Sequence, residues 1–227
     1  MSLVFPNGYK CLVCGCEIKD SKFVLCDSCL NALPKIVGKT CERCGMPIYS
    51  DANFCESCKV SNHVFSKAYA PFEYSGQIKN MIHKLKYEQK KYVAKCLGEL
   101  LFDYFEKLDL NIDAVVPVPL YITREHERGF NQAYEICHKF LSSGFNVLNN
   151  CVVKIKNTRA QVDLDFSGRK ENVAGAFKVI NKSAIKGKTV LLVDDVYTTG
   201  ATLNEVSQVL LKNGVSKVYC LTVAHTC

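Results

Sequence analysis

Two carboxylates stand side by side where an apolar run stops. Residues Val190, Leu191, Leu192 and Val193 lead directly into Asp194 and Asp195, and Thr198, Thr199, Gly200, Ala201 and Thr202 follow. Adjacent carboxylates accept hydrogen bonds from vicinal hydroxyls, as on a ribose. A small hydroxylated turn offers backbone N–H groups and side-chain hydroxyls to a phosphate, and Gly200 lets the anion come close. The helix predicted from Ala201 aims its positive end at the same anion. Four continuous apolar residues predict a strand buried on both faces, so the carboxylates would sit at its carboxyl end.

A second constellation lies near the start. Nine of the 14 cysteines fall within residues 11–58. Eight of them form C-x-x-C pairs: Cys11 with Cys14, Cys26 with Cys29, Cys41 with Cys44, and Cys55 with Cys58. Such density in a chain read as cytoplasmic points to metal rather than disulfides. Cys11-Leu12-Val13-Cys14-Gly15 returns as Cys41-Glu42-Arg43-Cys44-Gly45. This repeat favours sequential over interleaved pairing. One closed zinc site is then expected from Cys11, Cys14, Cys26 and Cys29, and another from Cys41, Cys44, Cys55 and Cys58. Both are structural rather than catalytic. A segment this poor in apolar bulk needs the metal, which supplies on the order of 10 kcal/mol of folding energy per site. Cys16 is read as a spectator, and Cys96, Cys137, Cys151, Cys220 and Cys227 as small apolar residues.

Composition narrows the classes. A formal charge of +7 invites a nucleic-acid reading, but eight zinc-bound thiolates with two Zn²⁺ lower it to about +3. Affinity for DNA must therefore come from where charge sits. No segment is apolar enough to span a bilayer, and none reads as a signal peptide. The expected location is the cytoplasm, including the inner face of its membrane.

The elements that must position these residues follow from pattern. Residues 1–66 read as a zinc-binding domain and 67–227 as an α/β domain. A strand is expected over 67–74, helices over 77–86 and 92–108, and a strand over 113–120. A helix over 131–141 and a strand over 151–155 come next. A polar stretch, 156–175, precedes a short strand at 175–179. Strand 190–194, helix 201–213 and strand 217–223 close the chain. Strands alternating with helices imply a parallel sheet.

The acidic run resembles the phosphoribosyl-pyrophosphate (PRPP) loop of type I phosphoribosyltransferases. Pro117-Val118-Pro119-Leu120, Arg124, Arg128-Gly129-Phe130-Asn131-Gln132, Thr158-Arg159-Ala160-Gln161, Arg169, Asn172, Ala176 and Phe177 extend the likeness. Together with the four cysteine pairs, these residues resemble the ComF competence-protein family, a zinc finger joined to a phosphoribosyltransferase-like domain. The resemblance implies ribose binding and any catalytic role at Asp194 and Asp195. It implies 5′-phosphate binding at Thr198, Thr199, Gly200, Ala201 and Thr202, with Arg124 and Arg128 at the pyrophosphate. Arg159, Gln161 and Arg169 would lie on a loop that closes over the ligand. Mg²⁺ would accompany PRPP, since a diphosphate ester needs its charge neutralised. Thr198 stands where 6-oxopurine enzymes carry an acid, which argues against that substrate class.

The resemblance also implies natural transformation, with single-stranded DNA and other DNA-uptake components as partners. Lys84, Lys86, Lys90 and Lys91, interleaved with Tyr87 and Tyr92, suit a single strand by charge and stacking. The same lysines also suit a solvated helix face, and Lys84 or Lys86 could turn into the ligand pocket instead. Three functions stand open: a competence protein that binds PRPP and handles DNA, an active phosphoribosyltransferase, and a PRPP-sensing regulator.

Overall fold

Every strand of the central sheet runs parallel to its neighbour, as continuously apolar strands require. The computed structural model describes residues 9–19, 21–158 and 172–227. Two short strands, β1 (Tyr9–Lys10) and β2 (Glu17–Ile18), pair antiparallel, and the short helices α1 (Asp27–Asn31) and α2 (Glu56–Val60) follow. The chain then enters the sheet through β3 (Lys67–Tyr69) and β4 (Phe72–Glu73). The single strand expected over 67–74 is broken here. Pro71 has no N–H to give a ladder, and its carbonyl instead accepts from the Ile36 N–H at 2.9 Å.

Helices α3 (Gly76–Tyr87) and α4 (Lys91–Phe105) come next, followed by β5 (Ala114–Pro117). Helix α5 (Ile122–Arg128) was not foreseen, and it lifts Arg124 and Arg128 out of the expected loop. Four residues apart, they share one helix face. The helix expected over 131–141 is two, α6 (Gln132–Ile136) and α7 (His138–Ser142). At the joint the Cys137 N–H is shared between the carbonyls of Ala133 and Tyr134, so the ladder slips there. Strands β6 (Val152–Lys154) and β7 (Phe177–Val179) form a separate antiparallel pair. The chain ends with β8 (Thr189–Tyr197), α8 (Ala201–Lys212) and β9 (Lys217–His225).

The sheet order is β3–β9–β8–β5, with β4 also pairing β9. Register is tight in the middle, where Leu191 faces Val115 on one side and Tyr219 on the other. Successive residues of β8 feed opposite cores. Leu191 and Val193 join Ile78, Leu97 and Leu101 of α3 and α4 on one face. Val190 and Leu192 join Leu203, Val206 and Leu210 of α8 on the other.

The cysteine-rich segment straddles the sheet. Cys11, Ile18, Leu25 and Leu33 belong to the first core, whereas Cys41, Cys44 and Cys55 belong to the second. The Gly45 turn lies so close to β3 that a Cβ there would meet the Ala68 carbonyl oxygen at 2.7 Å. Among the described residues, no helix is long and apolar enough to cross a membrane.

Candidate functional site

The strand β8 outruns the apolar run that announces it. Its ladder to β9 continues through Asp194↔Thr222 to Tyr197↔His225. The acidic pair is thus held inside a strand end rather than in a loose turn. Asp195 is only 3% exposed. Its Oδ1 meets the Lys86 Nζ at 2.8 Å. Its Oδ2 is buried and has no hydrogen-bond partner. An acceptor in that state is suited to a ligand hydroxyl. Burial raises the Asp194 carboxyl well above its usual range, and the charge of Asp195 adds to this. Burial opposes the charge of Lys86, but Asp195 outweighs it and raises the ammonium overall.

Both carboxylates line a cavity of 470 Å³ at the carboxyl ends of β5, β8 and β9. Thr198 and Thr202, on the turn into α8, line it as well. Gly200 takes φ +74°, the left-handed conformation that begins this helix, and its carbonyl accepts from Asn204 at 2.8 Å. Thr199 turns inward to the loop, where its hydroxyl lies 3.4 Å from the Ala201 N–H. Arg124, Arg128 and Lys154 form a basic wall of the same cavity. The Arg124 guanidinium donates to the Thr158 carbonyl at 2.6 Å, and Lys154 Nζ donates to the Thr158 hydroxyl at 2.7 Å. Arg128 donates to the Gln132 amide oxygen. Burial, with Arg124 close by, pulls the Lys154 ammonium down to about 8. An anion there would relieve the crowding of positive charge.

Lys154 escaped the sequence reading. Its signal was a lone lysine at the end of an apolar strand, the same position that betrayed the acidic pair. Tyr74 and Thr226, which carried no motif, also line the cavity, as does Tyr87 of the expected DNA face. Of the two places open to Lys86, the DNA face and the pocket, the structure shows the pocket: burial of the Leu85 side of α3 swings Lys86 onto Asp195. Lys91 is exposed but pairs with Glu135 at 3.2 Å and lies over the Phe130 ring. Lys84 and Lys90 remain toward solvent, the first of them half-buried. Arg159, Gln161 and Arg169 fall outside the described residues.

The cysteines gather into two clusters. The sulfurs of Cys41, Cys44, Cys55 and Cys58 all lie within 4.8 Å of one another, and so do those of Cys11, Cys14, Cys16 and Cys26. Cys14 to Cys26 is 3.7 Å and Cys44 to Cys55 is 3.6 Å. A zinc tetrahedron with Zn–S near 2.3 Å has an edge of roughly 3.8 Å, so the residues fit the ion. Burial resists ionisation of Cys11, but N–H groups of Cys14, Cys26 and Val13 converge on its sulfur and bring it to about 6. In the second cluster burial likewise opposes, and the N–H groups of Cys44, Cys55 and Arg43 bring Cys41 to about 7. Such sulfurs are ready to bind as thiolates. Cys16 and Cys29 are the correction here: the first cluster takes in Cys16, the expected spectator, and leaves out Cys29, an expected ligand.

Residues 1–59 match the double zinc ribbon domain, and residues 85–226 match the phosphoribosyl transferase domain. A relative named Competence protein F, from Haemophilus influenzae, is 30% identical, with 93% of this chain and 94% of that one covered. The chain belongs to the ComF family. Other ComF relatives carry two kinds of name. The DNA utilization protein YhgH of Salmonella typhimurium is 28% identical, with 93% of this chain and 95% of that one covered. Competence protein ComFC of Bacillus subtilis is also 28% identical, with 84% and 79% covered. A ComF chain thus joins two four-cysteine zinc sites to a phosphoribosyltransferase fold.

Proposed function

We propose that the cavity binds PRPP and that this ComF protein serves natural transformation by handling incoming single-stranded DNA. One observation carries the first half: an acidic pair, a phosphate-type turn and a basic wall line one cavity at the carboxyl edge of a parallel sheet. In this reading Asp194 and Asp195 take the ribose hydroxyls. The turn from Thr198 to Thr202 takes the 5′-phosphate, and Arg124, Arg128 and Lys154 take the pyrophosphate. Lys86, paired with Asp195, holds that carboxylate aimed into the cavity. Mg²⁺ would arrive with the diphosphate and lower its charge. The names of the relatives support the link to DNA and competence.

Titration calorimetry with PRPP and Mg²⁺ tests the pocket. The native chain should bind, and Asp194→Asn with Asp195→Asn should weaken binding at least tenfold. Absence of heat with a folded native chain refutes the pocket. A transformation assay on the same variants connects pocket to biology.

For DNA, the corner between α3 and α4 is the surface we favour. Tyr87 and Tyr92 are 62% and 56% exposed there, and the His83 ring lies tilted against Tyr87, centroids 4.8 Å apart. Such rings offer stacking platforms beside Lys84 and Lys90. Fluorescence anisotropy with an oligothymidylate should show weaker binding for Tyr87→Ala and for Lys84→Ala with Lys90→Ala. Unchanged binding removes this face from the account.

The same walls suit displacement of pyrophosphate from the anomeric carbon, because the basic groups would stabilise the leaving group. Pyrophosphate release on adding nucleophiles would separate a transferase from a binding protein.

A further inference from the structure

The two zinc clusters are built on the same knuckle but are not chemically equal. In the second, the Cys41 N–H donates to the Met46 carbonyl at 2.8 Å, and in the first the Cys11 N–H donates to the Cys16 carbonyl at 2.8 Å. Gly45 and Gly15 both take φ +76° inside these turns. Cys16 and Met46 therefore hold the same place in the repeat, directly beside the metal-binding sulfurs. In the second cluster that place is filled by a thioether packed on the apolar core. In the first it is filled by a thiol.

The Cys16 sulfur lies within 4.8 Å of those of Cys11, Cys14 and Cys26. Cys29, the partner of Cys26 in its C-x-x-C pair, falls outside that group of four. The group and Cys29 together offer five thiols to an ion that takes four. Exposure divides the clusters too: Cys14 and Cys16 are exposed, whereas Cys41, Cys44 and Cys55 are buried.

We infer that the first zinc site has an exchangeable ligand. Cys11, Cys14 and Cys26 hold the ion, and Cys16 and Cys29 alternate in the fourth position. Exchange swaps one Zn–S bond for another, with the departing thiolate taking up the proton that the entering thiol releases. No electrons move. The spare thiol gives this site a low-barrier route for ligand replacement, so its zinc should pass to a chelator faster than the buried one.

The test uses the full-length holo-protein. Zinc content is measured for Cys16→Ser, Cys29→Ser and the double variant. Cobalt(II) absorption of metal-exchanged samples reports the number of sulfur ligands. Both single variants should keep two metals and four-sulfur spectra. The double variant should lose one metal or show a three-sulfur site. Release of the first zinc to a colorimetric chelator should slow several-fold in each single variant. If Cys29→Ser alone loses a metal or a sulfur ligand, Cys29 is a fixed ligand and the inference fails. If Cys16→Ser alone does so, Cys16 is the fixed ligand and it fails equally.

Discussion

On the proposed reading, Lys154 is the residue at which pH should act on PRPP binding. Burial and the neighbouring Arg124 bring its ammonium down to about 8. A bound pyrophosphate favours the charged form, so the complex keeps the proton to higher pH than the free protein does. PRPP affinity should then fall as pH rises through 8, by about tenfold per unit while only the complex is protonated. Calorimetry between pH 7 and 9.5 checks this. Lys154→Met should bind more weakly at pH 7 and show a flatter profile; an unchanged profile would separate Lys154 from the ligand. His225 governs a different pH window. It is 2% exposed, its Nδ1 lies 2.9 Å from the Thr226 carbonyl, and its buried Nε2 has no partner. Burial lowers it from 6.5 to about 4, with the Thr226 bond opposing. Between those values the unfolded chain binds the extra proton, so stability is full above 6.5 and declines as pH falls toward 4. The loss amounts to on the order of 3 kcal/mol. Urea unfolding at pH 7.5 and 4.5 should show a smaller pH-dependent loss for His225→Gln than for the native chain.

The turn into α8 depends on one backbone geometry. Gly200 at φ +74° lies against the Tyr197 ring, and a Cβ there would come within 2.6 Å of the phenol Cζ. That ring is 4% exposed and stacked on His225 at 4.5 Å, so it has little room to yield. Gly200→Ala should cost the αL penalty of about 1–2 kcal/mol plus the displaced ring. On the proposed reading PRPP affinity should fall at least tenfold, because the turn assigned to the 5′-phosphate moves with it. Gly187 is the control: it has φ +73° with nothing within 4 Å of its Cβ, so Gly187→Ala should cost only the penalty and leave affinity alone. Thermal shift and calorimetry on the two variants separate the effects. This turn was legible in the sequence because a buried strand, two acids and a glycine follow one another without a gap. The strand 190–193 and helix 201–213 were legible for the same reason, since their patterns are local. Helix α5 was not, because Ile122–Arg128 carries no buried residue and so no apolar stripe. The pairing of Lys86 with Asp195 joins α3 to β8, and no spacing rule reaches across that distance in the chain. Lys154 went unseen because its role comes from neighbours brought in by folding.

Sequence motifs divide the chain at residues 66 and 67, yet burial does not. The second zinc cluster shares its apolar core with Leu192 of the sheet and with Leu203 and Val206 of α8. Arg43 of its knuckle accepts the Ala68 N–H of β3 at 2.8 Å and donates to the His63 carbonyl at 2.6 Å. Phe65, fully buried, meets Tyr197 edge-on at 6.5 Å, and the Val64 N–H donates to Asn204 of α8 at 2.7 Å. The second cluster is therefore part of the wall behind the turn into α8. We propose that the two motif regions unfold as one unit around it. Cys44→Ser, in the buried site, should lower the melting temperature of the whole chain and weaken PRPP binding, because removing a zinc ligand here opens the core beneath α8. Cys14→Ser, at the exposed site, should release zinc at lower temperature with less effect on the sheet. Circular dichroism recorded alongside a zinc-sensitive dye follows both events in one melt. Coincidence of the second zinc release with loss of the α/β signal is the expected result. Early release of both ions from a sheet that stays folded and still binds PRPP would show instead that the ribbons are appended to an independent domain.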